Sequence, residues 1–210
     1  MGILYHTSAA FSSRETGGNR GFWEEENKAR EELLVFHCAP TLAGIKSGSL
    51  FSCGCGGDFA AVLRSVNLRL GPMGLRIIPL RRGEERALVY LYRPAALARD
   101  LGREEARSIL KGAGYGSRSP EECLRELRRR LSEWEEFPHE IGLFLGYPPE
   151  DVRGFIENGG RRCKCAGAWK VYGDVAAARQ CFSCYKRCTR VYCRLYCAEG
   201  RSLEELAVKS

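Results

Sequence analysis

A chain of 210 residues with 44% apolar and 28% charged side chains has the composition of one folded domain, which excludes wholesale disorder. Its longest apolar stretches, such as residues 141–147, are far too short to cross a bilayer, and the first twenty residues lack the basic-then-apolar pattern of a secretory leader. The formal charge of +7 is unevenly placed: residues 1–157 carry 22 basic and 22 acidic side chains, residues 158–210 carry 11 and 4.

Residues 1–22, rich in Ser, Gly and Thr and without periodicity, read as a flexible extension, followed by a single domain over 23–210. Met1-Gly2 resembles the start of an acylation motif, but His6 stands where that motif requires Ser or Thr. The run from Trp23 to Phe36 favours helix, with acidic residues at its start. His37-Cys38-Ala39-Pro40 then reads as a break, with Pro40 opening a second helix over 41–48. The Gly/Ser-rich 52–57 reads as a loop, and Asp58 caps a helix over 59–70.

Residues 75–80 and 87–92 alternate as two strands around a turn at 81–84, and Pro79 directs the first of them to an edge. Helices are predicted over 94–100, 103–111 and 120–133, the last with Ser119 and Glu122 as a capping box. The apolar 141–146 reads as a central strand, 150–158 as a short helix ended by two glycines, and 169–172 as a fourth strand. Asp174 then caps a long helix reaching about Ala198. The fold class is α/β of the α+β kind: a small, mostly antiparallel sheet of about four strands surrounded by helices.

Eleven cysteines without a leader point to buried thiols, metal ligands or redox chemistry rather than a disulfide framework, in a cytoplasmic setting. Cys38 is placed by this reading at a helix start, where the dipole favours the thiolate. His139 follows it by about one hundred residues, the chain order of papain-like thiol enzymes, with Asp151, Glu150 or Glu140 to orient the ring. Such a Cys38–His139 pair suits a hydrolase or acyl transferase acting on a small amide or peptide-like substrate, and the fold would then be papain-like. The plain alternative is a small buried thiol and a histidine bonded to backbone.

Cys163 and Cys165, in a loop beside Arg162 and Lys164, are the best candidates for a zinc or iron–sulfur site, a second and non-enzymatic reading of the chain. On the last long helix, Cys181, Cys184 and Cys188 share an apolar stripe with Tyr185 and Tyr192, whereas Cys193 and Cys197 fall toward the side carrying Arg179, Lys186, Arg190 and Arg194. That basic side suits nucleic acid or an acidic partner, a third reading, or is simply solvated. Tyr115 and Tyr147, each beside glycine, read as turn residues.

Three segments carry a family likeness: HCAPTLAGIKSGSLF at 37–51, FPHEIGLFLGYPPEDVRGFIENGG at 137–160 and CKCAGAWKVYGD at 163–174. With YKRCTRVYC at 185–193 and GRSLEEL at 200–206, they resemble domain of unknown function 3793, a family of anaerobic Gram-positive bacteria. The resemblance covers roughly residues 30–208 and implies no activity. The segment H-x-I-x-L-F-L-G-Y at 139–147 is also similar to the histidine strand of double-glycine peptidases.

Overall fold

A computed structural model describes residues 19–116, 118–133 and 137–209. The extension expected over 1–22 lies outside the described residues as far as residue 18, and helix α1 (Asn19–Leu42) already includes its last positions. The strand β3 (Arg86–Tyr92) is central, flanked antiparallel by β1 (Gly48–Gly54) and β2 (Arg76–Arg82). Pro79 sits in the edge strand β2, as its missing N–H requires, and the register shifts between Pro79 and Arg81. Alternation along β3 sends Ala87, Val89 and Leu91 to one face and Leu88 and Tyr90 to the other.

Each face carries its own core. On the first, α1, α2 (Phe59–Leu70) and the short α9 (Leu203–Leu206) close over Leu42, Phe51, Cys53, Leu70 and Val89. On the second, α3 (Pro94–Leu101), α4 (Glu104–Gly112), α5 (Pro120–Glu133), α6 (Ile141–Phe144) and α7 (Pro149–Glu157) bury Tyr90, Leu97, Tyr115, Leu127 and Phe144. A small separate hairpin, β4 (Cys165–Ala166) with β5 (Lys170–Val171), rests on α8 (Val175–Cys197) through Trp169 and Phe182. The class is α+β, with helices around small antiparallel sheets, and no helix among the described residues is long and apolar enough to cross a membrane.

Four expectations are corrected. The break at 37–40 does not occur: α1 runs through Pro40, whose missing N–H forfeits the bond to the Phe36 carbonyl, and ends two residues later at Leu42. No helix forms over 41–48, where α1 ends at Leu42 and a turn leads to Gly48, and the loop expected over 52–57 is strand β1 as far as Gly54, whose alternation buries Cys53 below a sheet face. The apolar 141–146 is not a strand but the single turn α6, buried on every side; a continuous apolar run has no period to separate the two states. The caps at Asp58, Ser119–Glu122 and Asp174 are all formed.

Two buried side chains tie the pieces together. The Arg93 guanidinium donates to the carbonyls of Thr41 and Leu42 at 2.7 Å each, which terminates α1, and to that of Val208 at 2.7 Å, which fastens the C-terminal segment. The Asp151 carboxylate on α7 accepts from the Trp169 indole at 2.6 Å and from the Tyr172 and Gly173 backbone N–H groups at 2.6 and 2.7 Å, anchoring the hairpin.

Candidate functional site

The sequence-derived site residues fall in separate places. Cys38 lies near the C-terminal end of α1, fully enclosed in the first core. The dipole there opposes a thiolate, and burial pushes the thiol pKa well above its usual range despite the nearby Lys46 charge. His139 is exposed just before α6 and meets Phe155 edge-on at 5.0 Å. The groups acting on the Cys38 thiol are Lys46, Cys53 and Ser49; His139 is not among them. Nor do the expected orienting carboxylates serve His139: Asp151 holds the hairpin, and Glu140 accepts from Tyr115 at 3.0 Å and Arg130 at 3.1 Å.

Cys163 and Cys165 are half-buried on the hairpin, Cys165 against the Trp169 cluster. Among the described residues, no three His, Cys, Asp or Glu side chains converge as a metal site. On α8, Cys184 and Cys188 are half-buried as the apolar stripe requires, whereas Cys181, expected in the same stripe, is exposed because it lies near its outer end, and Cys197 is exposed as its side predicts. Cys193 departs from expectation: it packs with Tyr192, Leu195 and Tyr196 against the first core, because the buried arc of α8 is wider than the stripe read from its cysteines.

What the structure does assemble is a polar cleft of about 450 Å³ where the α1–β1 turn, α3, the α6–α7 turn and α8 meet. Gly44, with φ of +75°, turns the chain out of α1 and presents Lys46 and Ser47 to this space. The Lys46 ammonium lies 5.4 Å from the Tyr147 ring and 5.9 Å from the Tyr185 ring. Among the described residues, no carboxylate stands within ion-pair distance of it. Burial lowers its pKa to about 8, with Cys38 opposing the shift.

Ser47 adds an unmet donor: its hydroxyl is buried and has no hydrogen-bond partner. Gly146 explains how it fits, since a Cβ there would lie 2.5 Å from Ser47 Oγ, and its φ of +69° suits glycine. Asp100, Arg103 and Arg99 line one side of the cleft, Asp100 paired with Arg103 at 3.3 Å, and Glu150 lines the other. The Tyr147 ring stacks on Trp169 at 4.9 Å and its hydroxyl donates to the Ala168 carbonyl at 3.1 Å, so the hairpin holds one wall. Tyr147 is therefore a cleft residue as well as a turn residue, contrary to the sequence reading. The enclosure pushes the Tyr185 phenol up to about 12, keeping it protonated and able to donate.

None of these residues was legible as a site. Lys46 looks like any turn lysine; its one signal is its position between Gly44 and Gly48 immediately after a helix end.

A family model described as a protein of unknown function (DUF3793) matches residues 34–207, and the chain belongs to that family. No curated protein and no solved structure matches it.

Proposed function

We propose that this member of the family binds a small anionic molecule, one bearing a carboxylate or phosphate, in the cleft floored by Lys46 and Ser47. The observation that carries the reading is the Lys46 ammonium, half-buried against two tyrosine rings with no carboxylate within ion-pair distance among the described residues. A cation taken out of water without a counter-charge is costly, and an anionic ligand offsets that cost on binding. The Ser47 hydroxyl supplies a neutral donor beside it, and the Tyr185 phenol another. The volume is within the range of small-molecule sites.

Thiol chemistry, with Cys38 as nucleophile and His139 as base, has less to support it, since the thiol is enclosed and electrostatically coupled to Lys46 instead. A zinc or iron–sulfur role would rest on the half-buried Cys163 and Cys165 together with other thiols of the C-terminal part.

The test is thermal unfolding of the parent chain and of Lys46→Met in inorganic phosphate, acetate and succinate at constant ionic strength. The parent is expected to gain stability in a concentration-dependent way with at least one of these probes, by the mass-action relation for a ligand that binds only the folded state. Lys46→Met is expected to show no such gain. A parent chain indifferent to all three anions, or a variant that responds equally, refutes the assignment.

A further inference from the structure

Helix α8 carries a second feature that the cleft does not use. At 100° per residue, Arg179, Lys186, Arg190 and Arg194 fall within an arc of about 80°, and Arg187 lies at its border. All of them are exposed. Arg194 meets Glu199 at 3.5 Å, while no carboxylate among the described residues reaches the other four. From Arg179 to Arg194 the stripe is about 22 Å long at the helical rise of 1.5 Å per residue. The half-buried arc of the same helix, with Phe182, Tyr185, Tyr192 and Tyr196, faces the body of the protein. The stripe belongs to the segment that holds the whole net charge of the chain.

We propose that this stripe docks on the phosphate backbone of a double-helical nucleic acid, without reading its sequence. Three features of the face select this occupant. The charge is of one sign and repeats along a straight rod, which matches a polyanion of regularly spaced phosphates. The face lacks the apolar centre that a protein partner needs for a stable interface: between the basic positions it offers Ser183 and Cys197. It also lacks aromatic rings, which lie on the opposite arc, so stacking on single-stranded bases has no platform. Phosphate contacts alone give position and affinity without specificity.

The experiment is fluorescence anisotropy of the full chain with three labelled probes: a 24-base-pair DNA duplex, an RNA duplex of equal length, and polyglutamate. Five basic contacts give a slope of about −4.5 in log affinity against log salt, so binding to the favoured duplex should weaken about 500-fold between 50 and 200 mM salt. Arg187→Gln combined with Arg190→Gln, both on the exposed face, should leave the fold intact by circular dichroism and reduce that loss to about 40-fold. The DNA and RNA arms distinguish which duplex is preferred. Binding that the double variant leaves unchanged overturns the proposal, as does stronger binding to polyglutamate or no binding to either duplex at 50 mM salt.

Discussion

Removing the Asp151 carboxylate should open the C-terminal hairpin selectively. The ladder between β4 and β5 is two residues long, too short to hold itself, so its order depends on this acceptor. Asp151 Oδ1 takes the two backbone N–H groups of Tyr172 and Gly173, and Oδ2 takes the Trp169 indole. Each hydrogen bond to a charged group nets about 1.5–3 kcal/mol. In Asp151→Ala the two backbone donors, half-buried, regain water, whereas the indole, only 4% exposed, does not. The expected cost is about 3–5 kcal/mol. Asp151→Asn keeps one oxygen for the backbone pair but sets an amide N–H against the indole N–H, at about 2–3 kcal/mol. Hydrogen exchange read by mass spectrometry should show protection over residues 161–174 falling by about 100-fold or more in Asp151→Ala, at about 1.4 kcal/mol per tenfold, with the central strand β3 much less affected. Unchanged protection in the hairpin, or a loss spread evenly through β1, β2 and β3, would refute the assignment of Asp151 as a local anchor.

Arg93→Ala strips the end of α1 of its cationic cap and releases the Val208 carbonyl; urea denaturation should show a loss of about 3–5 kcal/mol, with exchange rising first over 203–209. Lys46→Met should be more stable than the parent at pH 7 by about 1–3 kcal/mol, because it removes an enclosed charge. The sign follows from linkage: with the folded pKa lowered to about 8, the unfolded chain binds more protons between that value and 10.5, so the parent gains relative to the variant as pH rises through this window. Paired denaturation curves at pH 7 and pH 10 measure the narrowing gap, and a parent chain more stable than the variant at pH 7 contradicts it. Iodoacetamide at pH 7.5 should modify the exposed Cys181 and Cys197 well before Cys38, as peptide mapping would record; a fast Cys38 would favour the thiol reading over the anion site.

The parts of this fold that could be read from the sequence are those in which a local rule acts alone. The caps at Asp58, Ser119 and Asp174 are contacts within three residues, so the residue types suffice to specify them. The pairing of β2 with β3 follows from a short turn, and the edge position of β2 from one proline. Failures occur where burial overrides a local signal. Pro40 stops a free helix, yet α1 continues past it because Leu34, Val35, Cys38 and Leu42 all face one core. The run 141–146 carries glycine and large apolar residues without alternation, and its surroundings, Tyr90 against the Phe144 carbonyl and Val152 against Gly142, decide for a helical turn.

The candidate site was illegible for a different reason. Cysteine and histidine attract notice because few other side chains do their chemistry, whereas a lysine acquires chemistry only from what is withheld from it. Lys46 differs from the exposed Lys111 and Lys209 through its burial and through two tyrosine rings contributed by positions 101 and 139 residues further along the chain. The same holds for Ser47, whose hydroxyl matters because Gly146 closes over it and offers nothing to bond. Both properties are products of tertiary packing. Mutating the walls, as in Tyr147→Ala or Tyr185→Ala, should therefore return the Lys46 amine toward its ordinary pKa by readmitting water, and the cleft's hold on an anion should weaken with it even though the lysine remains.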